Sequence, residues 1–170
     1  MIAAFDVRYL EDGRASAAAV LFHACTDAKP AVEYGSLADG VSPYIPGQFY
    51  RRELPCILGL LEQFHEAPDE MVVDGYVLLG DRPGLGHYLF ESFHGQIPVI
   101  GVAKSRYRGA YGAEIFRGGS KRPLYVTSAG VNPRHAAERI GSMHGAHRVP
   151  TLLKRVDLLA RARGATLKII

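Results

Sequence analysis

Ile2-Ala-Ala-Phe-Asp-Val7 and Met71-Val-Val-Asp-Gly75 are the two stretches on which the fold turns. Each is a short run of apolar, β-forming residues, and each reaches an aspartate, Asp6 and Asp74, where the run gives out. After the first run come the turn residues Glu11-Asp-Gly-Arg14 and a second apolar run over 15–23, a pattern that predicts an antiparallel hairpin. The second run and Val99 to Ala103 have the unbroken apolar character of parallel strands buried on both faces. If the first strand pairs in parallel with Met71–Val73, Asp6 and Asp74 fall on one edge of the sheet.

Outward from these strands, a third strand is expected at Ala31 to Tyr34, followed by a long surface loop from Gly35 to Gly47 rich in Gly, Ser, Asp and Pro. Leu54, Ile57, Leu58, Leu61 and Phe64 recur at helical steps and predict a helix over 54–65, with Pro55 confined to its first turn. A helix over 86–94 and a strand over 124–127 come next. Asn132-Pro133 is a good N-cap and first helical residue for a helix to about His144. The last helix, 151–163, carries Lys154, Arg155, Arg161 and Arg163 on its outer face, a basic surface able to follow phosphates. The resulting expectation is a single α/β domain over 1–170, with a mixed sheet of three antiparallel strands and then parallel strands, flanked by helices.

Composition bounds the function. The 170 residues are 48% hydrophobic and 22% charged, enough apolar material for a core and too much for disorder or a collagen-like chain. Twenty Lys and Arg against seventeen Asp and Glu give a formal charge of +3, which permits a polyanionic partner without demanding one. No run has the length of a membrane span and the start has no signal-peptide pattern, so a cytoplasmic protein is expected. Cys25 and Cys56 sit in apolar surroundings without metal-ligand spacing and read as buried thiols.

Ligands of open α/β sheets bind beyond the carboxyl ends of the strands, so Asp6 and Asp74 form a candidate divalent-metal site. Magnesium suits it, because that ion takes hard oxygen ligands and often needs only one or two carboxylates beside water and phosphate oxygens. Glu53, at the start of the helix after the long loop, is a candidate third carboxylate.

Longer words extend this pattern. Asp6-Val7 with Tyr9, Pro43-Tyr44-Ile45-Pro46-Gly47, Arg52-Glu53-Leu54-Pro55, Val73-Asp74-Gly75 and Ile100-Gly-Val-Ala-Lys104-Ser105-Arg106 follow one another in the order and spacing of endonuclease V. From residue 1 to about 130 the chain resembles that family. The resemblance implies an RNase H-like fold and a Mg²⁺-dependent endonuclease, with Mn²⁺ as a substitute. The implied reaction is cleavage of a phosphodiester on the 3′ side of inosine in DNA or RNA. It also implies roles: Asp6 and Asp74 hold metal, Glu53 is catalytic, and Lys104 stands near the scissile phosphate. Tyr44, rigidly set within Pro43, Ile45, Pro46 and Gly47, is the wedge between strands. Gly75, Ser105 and Arg106 belong to the same words and to the nucleic-acid contact.

The chain departs from the family in two words. Asp74-Gly-Tyr-Val-Leu-Leu-Gly-Asp-Arg-Pro83 stands where the family builds its base pocket, which leaves the preferred base open. Ser128-Ala-Gly-Val131 has valine where the family's word carries an active-site histidine, and His135 is a candidate replacement. Asp157, the sole acid in the last thirty residues, is a candidate further acid from a late helix, as RNase H-like nucleases often use. Two other readings stay open: a nucleic-acid-binding relative with weakened turnover, and a nuclease for a different lesion or RNA structure.

Overall fold

The computed structural model describes residues 1–39, 45, 48 and 50–162. The hairpin forms as expected, from β1 (Ile2–Tyr9) and β2 (Ala15–Phe22), with Asp6 opposite Ala18. The third strand, β3 (Val32–Ala38), runs farther than its sequence signal, because pairing with β2 continues through Gly35 and Ser36 to Ala38. Small polar residues that mark a loop in isolation are held here by a ladder already in place.

Next come α1 (Tyr50–Leu61), β4 (Glu70–Asp74), the two-residue strands β5 (Leu78–Leu79) and β6 (Arg82–Pro83), and α2 (Leu85–Ser92). The chain continues through β7 (Val99–Ala103), β8 (Ala113–Ile115), β9 (Leu124–Ala129), α3 (Pro133–Ser142) and α4 (Thr151–Arg161). Helix α1 begins four residues earlier than the apolar stripe indicates, so Pro55 lies beyond the first turn and leaves the Arg51 carbonyl without its usual i+4 donor.

The seven-stranded sheet has the order β3-β2-β1-β4-β7-β9-β8. β1 pairs in parallel with β4, and β4 in parallel with β7. This mixed sheet is the expected RNase H-like architecture. After the parallel strands, whose sequence left the tail of the sheet open, β9 returns antiparallel to β7, and β8 antiparallel to β9. The connection from β7 to β9 carries no crossover helix, so its path back across the edge requires the opposite direction.

Two cores cover the sheet. On one face Phe5, Met71 and Val73 pack with Ile57 and Leu60 of α1 and with Leu85 and Leu89 of α2. On the other, Ala4, Val72, Ile100 and Val102 pack with Ile140 of α3 and with Leu152, Val156 and Leu159 of α4. Strand alternation therefore turns Asp6, Asp74 and Lys104, each two positions beyond a residue of the second core, toward α4. Arg139 reaches across from α3 to the buried Glu70 at the start of β4, at 3.2 Å.

Candidate active site

The parallel register sets Phe5 opposite Val73 and Asp74 opposite Val102, so Asp6, just past the β1–β4 ladder, meets Asp74 at the end of β4 and Lys104 just past β7. Asp6 is not the strand end expected of it, because pairing with β2 carries β1 on to Tyr9. These three side chains and Asp157 of α4 line one small cavity, floored by Val72, Val102, Leu124 and Val156. Asp157 lies 83 residues from Asp74 in sequence; only the packing of α4 on β1 and β2 unites them.

Lys104 Nζ donates to Asp74 Oδ2 at 2.6 Å. Burial lowers the lysine's pKa, but this bond and the charges of Asp74, Asp157 and Asp6 outweigh it and raise the pKa above its ordinary value. Asp6 accepts the Val7 N–H at 3.0 Å. Burial, then the charges of Asp74 and Asp157, push its pKa up to about 7. Glu53 projects from the first turn of α1. Burial, then the charges of Asp6 and Asp74, push it too up to about 7, with the Tyr9 hydroxyl and Arg52 acting the other way. The Arg52 guanidinium lies 3.7 Å from the centre of the Tyr9 ring, stacking the two residues beside that carboxyl.

Among the described residues no three His, Cys, Asp or Glu side chains are already gathered as ligands about one point. The donor set nevertheless fits a hard divalent cation. Asp6 and Asp74 offer oxygen ligands from adjacent strands, and the repulsion of Asp6 and Glu53 by neighbouring carboxylates is what such a charge relieves. Where no such charge is present, the Lys104 ammonium partly neutralises the cluster.

The stretch after Asp74 is bound tightly to its surroundings. Gly75 takes a positive φ of 136° and donates to the Val102 carbonyl at 3.0 Å. A side chain on Gly101 would meet the Gly75 carbonyl at 2.7 Å and Thr127 Oγ1 at 2.8 Å, so glycine is required at that crossing. The Val77 N–H donates to the same Thr127 hydroxyl at 2.8 Å. Tyr76 donates its hydroxyl proton to the Ser105 carbonyl at 2.8 Å and accepts from the Tyr107 N–H at 3.0 Å. The segments carrying Asp74 and Lys104 are thus tied together beyond the ion pair itself.

Of the other expected site residues, Ser105 and Arg106 are exposed beside Lys104, with Arg106 3.9 Å from Glu114. Ile45 is exposed; Pro43, Tyr44, Pro46 and Gly47, the wedge, lie outside the described residues. His135 is exposed on α3, away from the cavity lining. The expectation for Val131 is corrected. Ala129 pairs with Val99 while Ala103 pairs with Tyr125, so Val131 follows the end of β9 farthest from Lys104. Roughly 15 Å of strand separates the two ends, and Val131 packs against the hydrophobic core. A valine there displaces nothing from the cavity. Of the basic outer face of α4, Arg155 is spent on Glu33 at 2.7 and 2.8 Å, and Arg161 holds Asp157 at 2.9 Å.

Two residues that sequence reasoning missed shape the site from outside it. Arg148 donates to the Lys104 carbonyl and, at 2.7 Å, to that of Pro123, fixing the backbone that carries the lysine. Arg117 donates to the Gly141 carbonyl in the last turn of α3 and to carbonyls of the α3–α4 connection, among them Met143 and His147. Isolated arginines in loops carry no pattern that would reveal this.

An α/β domain with a mixed sheet, carboxylates and a lysine at the carboxyl edge of its parallel strands, and a further acid from a late helix has the layout of an RNase H-like nuclease. The endonuclease V family model matches residues 1–154, and the chain belongs to that family. It is 30% identical over 190 residues to the endonuclease V of Xylella fastidiosa, covering 96% of this chain and 77% of the relative. The Alkalilimnicola ehrlichii endonuclease V is 30% identical over 143 residues, or 84% of this chain, which spans only 59% of that relative's length. Among solved structures, endonuclease V of Streptomyces avermitilis superposes with a TM-score of 0.78 at 27% identity, over 94% of this chain and 79% of its own. Endonuclease V of Ciona intestinalis, in its D234N form with a 23mer DNA containing an inosine followed by a ribo-adenosine, shares the fold. Its TM-score is 0.78 at 17% identity, over 94% of this chain and 83% of its own.

Proposed function

We propose that this chain is a Mg²⁺-dependent endonuclease, with Mn²⁺ able to substitute, that hydrolyses a phosphodiester 3′ to a deaminated base in DNA or RNA. The observation that carries the reading is the single cavity shared by Asp6, Asp74, Lys104 and Asp157, with the Glu53 carboxyl close enough to feel the first two charges. Inosine is the base this reading starts from, since the Ciona relative was captured on inosine-containing DNA.

Bound between Asp6 and Asp74, the cation would supply Lewis acidity to the phosphate and a more acidic water. The chain's own residues do the rest. Asp6 and Asp74, anchored on adjacent strands, would hold the cation, and with it the place of the scissile phosphate. Glu53, with a pKa near neutrality, takes the proton of the attacking water at a carboxylate oxygen. As the new P–O bond forms, the P–O bond to the 3′ oxygen breaks, and that oxygen leaves as a hydroxyl with a proton from solvent. Lys104, released from Asp74, turns its ammonium to the phosphoryl oxygens, where negative charge grows in the transition state. Asp157 restrains Arg161 and adds its negative charge to the cavity it shares with Asp6.

The test is incubation with Mg²⁺ or Mn²⁺ and end-labelled oligonucleotides carrying inosine, uracil or no lesion. A single cut 3′ to inosine is the expected result. Binding without any cut, with either ion, overturns the nuclease reading in favour of a binding relative.

A further inference from the structure

Beyond Lys104 the chain leaves β7 as Ser105-Arg-Tyr-Arg-Gly-Ala-Tyr111, in which cations and aromatic rings alternate. Tyr107 is 42% exposed and Tyr111 is 89% exposed, and neither belongs to a core cluster. Arg106 and Arg108 are exposed as well, with the Glu114 carboxylate facing Arg106 at 3.9 Å. A single exposed tyrosine is ordinary. Two rings alternating with two arginines, starting two residues from the lysine of the site and leaving Tyr111 almost wholly in solvent, exceed what packing requires.

The segment has backing and a fixed shape. The Tyr76 hydroxyl accepts from the Tyr107 N–H, and the two rings are tilted at 58° with centroids 6.2 Å apart. The Ala110 N–H closes a turn on the Tyr107 carbonyl at 3.1 Å. At its tip the Gly109 carbonyl sits so close to Gly80 that a side chain there would approach it to 2.9 Å. The loop is thus seated on the turn between β5 and β6, with the Tyr111 ring in solvent and the Tyr107 ring backed by Tyr76 on one side and partly exposed on the other.

We infer that Arg106 to Tyr111 forms a stacking surface for unpaired bases of the nucleic-acid strand entering or leaving the site. Rings are of use only to bases whose faces are free, since a duplex presents phosphates and groove edges to a surface loop. Arginines between the rings match the phosphates between stacked bases. The occupant is single-stranded DNA or RNA, continuous with the segment at Lys104. This inference rests on the nucleic-acid reading above, but not on turnover.

The experiment measures binding by fluorescence anisotropy in EDTA, with one short labelled oligonucleotide offered single-stranded and as a blunt duplex. Tyr107→Ala with Tyr111→Ala should weaken single-strand binding by roughly tenfold per ring and leave duplex binding within roughly threefold. Tyr111→Ala alone, at a side chain almost wholly in solvent, guards against a folding defect and should give the one-ring loss. The protein has no tryptophan, so Tyr111→Trp supplies a single reporter whose emission should be quenched by the single strand and not by the duplex. Equal losses on both forms, no loss on either, or a wild-type protein that ignores single strands would each overturn the proposal. Binding with these losses but without cleavage would leave it standing while removing the nuclease reading.

Discussion

Lys104 and Asp74, thirty residues apart, meet in a 2.6 Å ion pair between the ends of two neighbouring parallel strands. The pair is about two-fifths exposed on both sides, 42% and 39%, so its contribution to stability is at most about 1 kcal/mol. Lys104→Ala should therefore shift the melting temperature little. If the ammonium serves the phosphate, kcat should fall by roughly a hundredfold or more, measured at saturating metal and substrate. Asp74→Asn should abolish cleavage with the melting curve nearly unchanged; loss of folding would mark a structural aspartate instead.

Asp6 and Glu53 make the metal-free protein sensitive to pH. Their pKa values rise from 3.8 and 4.5 to about 7 on folding, so the native state holds protons that the unfolded chain releases. Stability from this source is complete below about pH 4 and is lost as pH climbs through about 7. Thermal melts in EDTA should accordingly show a lower melting temperature at about pH 8 than at about pH 5. Added Mg²⁺ should close most of that gap, and Asp6→Asn should remove much of it without metal. A flat profile in EDTA would mean that neither burial nor neighbouring charge raises these two carboxyls.

Asp157 has two possible uses, and they separate cleanly. As a helix-face partner of Arg161 it contributes a few tenths of a kcal/mol, and Asp157→Asn would leave cleavage unaltered. As part of the acidic cavity it should lower cleavage at least roughly tenfold at limiting Mg²⁺, with recovery at high Mg²⁺. We expect the second result. The Mg²⁺ dependence of the rate is the measurement that decides.

Gly101→Ala should disturb the site from beneath. The new methyl meets the Gly75 carbonyl, Thr127 Oγ1 and the Val77 N–H, all within 2.8 Å, and none is a flexible side-chain end. A cost of roughly 1–3 kcal/mol is expected, with the Asp74–Val77 segment displaced and cleavage reduced. Thr127→Val, which leaves the buried Val77 N–H without its acceptor, should cost about the same, read by denaturant melts.

Base discrimination should be modest. Tyr76 spends its hydroxyl on the Ser105 and Tyr107 backbone, Val77 is buried, and Leu78, 42% exposed, offers apolar contact alone. Apolar contact separates similar ligands by only about 1–3 kcal/mol. Competition among inosine, uracil and abasic sites in one sequence context should show a preference within that range. An inosine preference over adenine above roughly a thousandfold would reveal a polar pocket elsewhere.

What the sequence determined by itself was local or verbal. Apolar runs reaching Asp6 and Asp74 announced two strands, and the parallel pairing of Phe5 with Val73 then sets the two aspartates side by side. The words around Glu53 and Lys104 resembled a family, and the family model agrees. Helix α1 and the hairpin were visible because their patterns close within a dozen residues. Tertiary structure decided the rest, where pairing or packing joins distant parts. β3 extends through Gly35 because β2 was there to bond it. β9 runs against β7, which no periodicity encodes, and that one direction carries Val131 away from the cavity. Asp157 reaches Asp6 only because α4 buries Leu152, Val156 and Leu159 against the sheet, turning one side of the helix inward and leaving the aspartate at its margin. Arg148 and Arg117 acquire their roles from carbonyls that only the folded chain brings within reach. A hydrogen bond between residues far apart in sequence has no local signature, because neither partner's neighbours need to know of it.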